Sequence, residues 1–333
     1  MGRLAKDDFD AALLPGIRAE LAEAYRSFRR DEAAAISSWL GPDGCFAPGT
    51  YFERPCPLCG GSAADRYLFA RGLDIVRCDS CGLVYSRNVL LPEVDRQRYE
   101  NDPAAVAHVA LRQSPAYRRL EEGKLHYLFQ SLARLGARGG ELLDIGAADG
   151  RLLVVARDYG WAGRGVELNR GYWDVHREQG LAVSYGAFPE DFPDDGRRFA
   201  LVTMLDVLEH TVDPVAFLRQ VGERLTTRGY LAVQVPNVDS LLLRLEGATN
   251  NNFCPGHWNY FSAASLQKAG EAAGLRTLHQ ETYITELDRI LSYDREKIRQ
   301  AFGRELPIEF ELTPELLHRH LQGYKLFTVF AKE

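Results

Sequence analysis

The stretch that most constrains this chain is ELLDIGAADGRLL, from Glu141 to Leu153. A short apolar run leads into Asp144, then into Gly146 and Gly150 with Ala147, Ala148 and Asp149 between them, then into a helical pattern. Strand, glycine-rich turn and helix in that order place a ligand at the turn, because the first N–H groups of a helix have no partner within it. A dinucleotide turn requires G-x-G-x-x-G, whose middle glycine lets the backbone approach a pyrophosphate. Here the outer glycines stand one residue too close. A phosphate loop requires Gly-Lys-Ser/Thr, which this turn lacks. Asp144 and Asp149 flank the turn, and two carboxylates repel a phosphate at close range. They suit a ligand that carries positive charge.

From residue 141 onward, strand patterns alternate with helical ones. The strand patterns are ELLDI, GRGVE, LAVSY, FALVTML and GYLAVQV, with RLLVVARDYG and DPVAFLRQVGERL among the helical stretches. This alternation predicts an α/β fold with a parallel, doubly wound sheet. After SAASLQKAGEAAG come LRTLHQETY and a terminal KLFTVFAK, with a charged, mostly helical stretch over 286–322 between them. Upstream, Ile17, Leu21, Tyr25 and Phe28 recur at helical spacing within 8–40, with Pro15 suited to a first turn. GPDG at 41–44 stops that segment, and Leu125, Leu128, Leu132 and Leu135 share one face of a later helix. The expected divisions are a helical segment over 1–50, a small module over 51–90, connecting helices over 91–137 and the α/β domain over 138–333. Within that last domain, 241–262 and 284–322 form loops or a cap on the acceptor side.

Glu167 ends GRGVE, 23 residues after Asp144, where an acidic side chain can accept hydrogen bonds from a ribose diol. A nucleoside with no pyrophosphate and a cationic amino-acid tail describes S-adenosylmethionine. Asp144 would attract its ammonium, the turn residues Gly146, Ala147, Ala148 and Gly150 would pack on its methionine part, and Glu167 and Leu168 would flank its ribose. LLDIGAADG, GVELN, FALVTMLDVLEHTVDP, GYLAVQVPN and HWNYFSAASLQKAGEAAGL together resemble successive motifs of class I S-adenosylmethionine-dependent methyltransferases. The similarity is greatest to the branch that serves quinone and natural-product biosynthesis, and it covers about residues 125–333. It implies a Rossmann-like sheet of seven strands whose last strand inserts antiparallel. It also places the adenine after the third strand, in GAFPED, where Ala187 and Phe188 replace the acidic and apolar residues usual there. Phe188 would pack on the ring, and Asp206 and Val207 would lie at the ligand-binding end of the fourth strand.

Cys56, Cys59, Cys78 and Cys81 stand as C-x2-C-x18-C-x2-C, and Gly60 and Gly82 complete the two knuckles. Four thiolates at this spacing predict a closed, structural zinc site, which supplies stability that about forty residues of core cannot. Cys45 and Cys254 are assigned to packing. The segment 51–90 carries five arginines against four acidic residues, and the whole chain has a net charge of −6. Neither number recommends nucleic acid as the partner. The module is similar to those that precede the catalytic fold in sugar C-methyltransferases, and some ribosomal RNA methyltransferases also begin with a zinc module.

Methyl transfer to oxygen requires a base with a pKa near neutral. His210 closes DVLEH beyond the fourth strand and His257 lies in CPGHWNYF after the fifth, so both are candidate bases, with Asp206 and Glu209 as secondary candidates. Both histidines match positions in the resembling sugar C-methyltransferases. Those enzymes carry Tyr-x-Glu before the second histidine, where this chain has Cys254, Pro255 and Gly256, and the difference favours O-methylation. Trp258, Tyr260 and Phe261 are candidate walls for an aromatic acceptor. No apolar run approaches the roughly 18 residues of a membrane span. MGRLAKDDFD lacks the apolar core of a signal peptide, and Gly2 precedes Lys6 where myristoylation would need Ser or Thr. The expectation is a cytoplasmic, zinc-containing enzyme acting on a small molecule, with a homodimer compatible. Competing readings are C- or N-methylation of a small molecule such as a nucleotide-linked sugar, RNA methylation, and a non-catalytic partner-binding protein.

Overall fold

The computed structural model describes residues 6, 14–20, 22–100, 109, 112–303 and 309–333. Two helices, α1 (Leu14–Glu20) and α2 (Ala22–Ser37), stand where one helical segment was expected, with Pro15 in the first turn of α1. Ile17 is buried; Gly2 and Leu21 lie outside the described residues, as do the side chains of Tyr25 and Phe28.

Five short strands follow: β1 (Tyr51–Glu53), β2 (Ala64–Ala70), β3 (Leu73–Cys78), β4 (Val84–Ser86) and β5 (Asn88–Leu90). β1 pairs with β5, and β2, β3 and β4 form an antiparallel meander. Helix α3 (Pro92–Glu100) then leads towards α4 (Pro115–Arg134). Ser114 caps α4 by accepting from the Tyr117 N–H, and Pro115 occupies its first turn, where a missing N–H costs nothing.

The large sheet comprises β6 (Gly140–Ile145), β7 (Trp161–Glu167), β8 (Val183–Tyr185), β9 (Phe199–Leu205) and β10 (Leu225–Pro236). A two-residue strand, β11 (Asn259–Tyr260), precedes the last members, β12 (Leu275–Tyr283) and β13 (Lys325–Lys332). The order across the sheet is β12-β13-β10-β9-β6-β7-β8. β13 runs antiparallel to both neighbours, pairing Tyr230 with Ala331 through to Pro236 with Lys325. The pairs among β6 to β10 are parallel. The sheet is therefore the doubly wound arrangement expected, with its last strand inserted antiparallel.

Successive side chains of a strand face opposite sides, so each strand feeds two cores. Leu143, Val202, Leu231 and Phe330 pack with α7 (Pro214–Arg224) and α9 (Ala263–Ala272) on one face. Leu142, Leu201, Ala232 and Phe327 pack with α4 and α5 (Arg151–Arg157) on the other. Leu125, Leu128 and Leu132 of α4 are buried there as the periodicity predicts. Helices α6 (Trp173–Glu178) and α8 (Leu241–Glu246) complete the α/β region. Within 284–322 the described residues form α10 (Leu287–Ile290), α11 (Arg295–Phe302) and α12 (Pro314–Arg319), whose apolar residues pack on α8. One pairing was not legible in advance. β11 joins β4, so the small sheet has the order β11-β4-β3-β2 and includes a strand from the long connection after β10.

Candidate active site

The glycine-rich turn lies between β6 and α5. Gly146 and Gly150 adopt φ of 78° and 75°, in the left-handed region that L side chains resist. A Cβ on Gly146 would meet Val207 Cγ2 at 2.6 Å, and one on Gly150 would meet Leu181 at 2.2 Å. Behind the turn, His176 donates from Nε2 to the Ala148 carbonyl at 2.7 Å, so its Nδ1 accepts from the Tyr185 hydroxyl at 2.5 Å. In front of it, the Glu167 carboxylate accepts from the N–H groups of Ala148 at 2.8 Å and Asn169 at 2.7 Å. Burial pushes this carboxyl up, and the two N–H groups oppose that shift.

The acidic turn read from the sequence is corrected by residues distant in sequence. Asp149 lies 3.6 Å from Arg112 and 3.7 Å from Arg151, so its charge is compensated. Asp144 is buried behind the turn, accepting from Thr203 Oγ1 at 2.7 Å. Burial pushes its carboxyl up to about 7, against that hydrogen bond. It lines a small adjoining cavity of about 60 Å³ together with Ala147, while Gly150 serves the turn's shape.

A cleft of about 610 Å³ runs along the carboxyl ends of the strands. Gly146, Ala148, Glu167, Leu168, Phe188, Asp206 and Val207 line one part of it; Glu209, His210 and His257 line another. Phe188 packs against Phe192 and edge-on to Phe217, at centroid distances of 5.9 and 5.7 Å. One of that loop's two acidic residues, Asp191, turns back to accept from the Ala187 N–H at 2.9 Å. Asp206 accepts from Lys325 Nζ at 2.9 Å and from Gln234 Nε2 at 2.7 Å. Although burial opposes ionisation, the Lys325 ammonium holds Asp206 well below the usual carboxylate range.

The long connection after β10 brings His257 beside His210. Their ring centroids are 4.7 Å apart at 75°. His210 Nδ1 donates to the Gly256 carbonyl at 2.7 Å and His257 Nδ1 to the Asn252 carbonyl at 2.9 Å. In the neutral rings Nε2 is then the basic nitrogen of each. Glu209 is 1% exposed, and neither carboxylate oxygen has a hydrogen-bond partner among the described residues. Burial, then the charge of Asp206, pushes its carboxyl well above the usual range. One ligand atom from each of Glu209, His210 and His257 lies within 4.8 Å of the others, so the three could also hold a cation.

Sequence reasoning placed the acceptor walls wrongly. Trp258, Tyr260 and Phe261 are buried: Trp258 and Tyr260 in the core of the small sheet, Phe261 in that of the large one. The cleft is instead walled by Ile36 and Trp39 near the end of α2, by Tyr117 and by Pro255. Arg112, Tyr172 and Lys325 also line it; Lys325 opens KLFTVFAK, which was read only as a strand, and the other two lie outside the motifs read from the sequence. Arg112 is nearly enclosed, and its Nε has no hydrogen-bond partner among the described residues. Cys254 lines the cleft beside Pro255, whereas Cys45 lies outside it.

The four paired cysteines converge. Cys56 and Cys81 Sγ are 3.4 Å apart, Cys59 and Cys78 Sγ 3.5 Å, and all four lie within 4.8 Å of one another. Gly60 and Gly82, with φ of 73° and 80°, donate back to the carbonyls of Cys56 and Cys78 and close two equivalent knuckles. This donor set fits a tetrahedral, thiophilic metal ion.

Such a sheet order, with a glycine turn after the first large strand and an acidic residue at the end of the second, defines a Rossmann-like methyltransferase fold. Residues 117–280 match the sequence model of the methyltransferase-domain family. A ubiquinone biosynthesis O-methyltransferase of Azorhizobium caulinodans is 34% identical over 118 residues, which cover 33% of this chain and 47% of that protein. The chain thus spans about half the length of the curated relative it matches. Among solved structures, a magnesium protoporphyrin IX methyltransferase from Synechocystis is 11% identical, with 72% of this chain and 99% of that one covered at a TM-score of 0.48. A possible histamine N-methyltransferase from Thermotoga maritima is 18% identical, covering 68% and 99%, at a TM-score of 0.44. Among the described residues no helix is long and apolar enough to cross a membrane.

Proposed function

We propose that this protein transfers a methyl group from S-adenosylmethionine to a hydroxyl oxygen of a small molecule in a biosynthetic pathway of the cytoplasm. The observation that carries the reading is a single cleft joining the glycine turn and Glu167 to the paired histidines. When bound, the cofactor supplies an activated methyl group and a neutral thioether leaving group. Glu167 would hold its ribose hydroxyls, and the Arg112 guanidinium that lines the cleft fits an amino-acid carboxylate. Phe188 and Leu168 would flank the nucleoside, and Asp206 and Val207 would face its reactive end. The acceptor's hydroxyl proton would pass to Nε2 of His257 or His210. Glu209, kept protonated by burial, would donate a hydrogen bond to the acceptor. The four cysteines would hold a structural zinc ion, and 51–90 would form the zinc module.

Calorimetry with S-adenosylmethionine and S-adenosylhomocysteine, against NAD and ATP, tests the cofactor. Mass spectrometry on a panel of phenols and enols tests the acceptor, with one added methyl group expected. Uptake of NAD or ATP in place of both adenosyl compounds would overturn the reading. Methylation at carbon or nitrogen, binding of ribosomal RNA, or cofactor uptake without turnover of any acceptor would select one of the competing classes. A second reading is favoured by the unpartnered Glu209 carboxylate beside two imidazoles: a divalent cation that polarises the acceptor oxygen. Turnover that depends on added Mg²⁺ or Mn²⁺ would select it.

A further inference from the structure

We infer that Arg54 is a positioning residue that ties the four-cysteine sheet to the histidine pair. This rests on the preceding reading of His210 and His257. Arg54 precedes Cys56 by two residues and is buried. Its guanidinium donates to carbonyl and amide oxygens from three separate segments. Nε donates to the Ser86 carbonyl at 3.1 Å at the end of β4. One terminal nitrogen donates to the Val212 carbonyl, two residues after His210. The other donates to the Trp258 carbonyl at 2.7 Å, next to His257, and to Asn259 Oδ1 at 3.1 Å. Every oxygen among these partners is uncharged, so the contacts serve geometry: a planar fork spreads its donors over three nitrogens in fixed directions, whereas an ammonium gathers its donors on one rotatable nitrogen.

The same three segments are cross-linked around this fork. The Ser86 N–H donates to the Trp258 carbonyl at 2.9 Å, and β11 continues that pairing onto β4. Asn259 Nδ2 donates to the Thr211 carbonyl at 2.6 Å, and the Trp258 N–H donates to the Glu209 carbonyl at 2.8 Å. His210 in turn takes its orientation from Gly256, on the same connection. Displacing β4 therefore displaces Trp258 and Asn259, and with them the adjoining His257 and the Gly256 carbonyl that holds His210. Sub-ångström errors at a reacting centre are expensive, with a 1 Å misplacement costing roughly 10²-fold in rate.

The test uses the full chain with its metal, in Arg54→Lys and Arg54→Met variants. Three quantities are read: bound metal, S-adenosylhomocysteine affinity by calorimetry, and the ¹⁵N resonances of the histidine rings. The expected result is unchanged metal content and affinity, with the His210 and His257 nitrogens shifted and those of His126 in place. Unmoved His210 and His257 resonances in both variants overturn the assignment, as does loss of metal and cofactor affinity in both. Should the unmodified chain fail to bind S-adenosylhomocysteine, the functional reading falls, while the histidine resonances still judge Arg54.

Discussion

His210 and His257 stand edge to face, 4.7 Å apart, and each gives its Nδ1 proton to a backbone carbonyl of the connection that follows β10. The two rings thereby share a tautomer, and their Nε2 atoms belong to one corner of the cleft. If either is the base, replacing it by alanine lowers turnover by about 10²–10⁴-fold. S-adenosylhomocysteine affinity should stay near that of the unmodified protein, because neither ring belongs to the turn. Normal turnover in both variants would remove them from the chemistry.

Glu167 is held by two N–H groups and faces the cleft, so its lone pairs are aimed before a ligand arrives. Hydrogen bonds to a charged group contribute about 1.5–3 kcal/mol, so Glu167→Ala should weaken S-adenosylmethionine binding roughly 10- to 100-fold. Calorimetry measures this, with circular dichroism to establish that the fold persists. Unaltered affinity would reassign the ribose contact.

Asp144 and Asp206 make opposite predictions about pH. Burial moves Asp144 from 3.8 to about 7, so over that interval the folded chain keeps a proton that the unfolded chain has released. Its contribution to stability therefore declines as pH rises from about 4 to 7. Asp206 is depressed by Lys325, so its contribution is present above its ordinary value of 3.8 and is lost as pH falls below that. Asp144→Asn should flatten the fall in Tm between pH 4 and 7 and leave the acid limb in place. An identical Tm profile in the variant would refute the burial argument.

On the proposed zinc assignment, loss of the metal should act well beyond the cysteines. Cys78→Ser is expected to abolish stoichiometric zinc, read by elemental analysis. It should also speed amide exchange in β2, β3 and β4, and in β11, since Asn259 and Tyr260 depend on β4 for their pairing. Fast exchange confined to 51–90 would contradict the shared sheet.

Much of this protein could be read from residue order alone. FALVTML and KLFTVFAK are strands over the ranges their patterns mark, because a strand buried on both faces reads as a short, nearly continuous apolar run. The cysteine knuckles, the glycine turn and the acidic end of β7 are likewise local, each set by a few neighbouring residues. Tertiary structure alone decided what meets those pieces. Arg112 reaches the turn from a segment far off in sequence and compensates Asp149, which made the turn look acidic, while Lys325 reaches Asp206 from the last strand. β11 carries Trp258 and Tyr260 into a core instead of the acceptor wall. Period and spacing report conformation within a few residues, whereas net charge at a site and the identity of its walls are sums over neighbours that only the folded chain assembles.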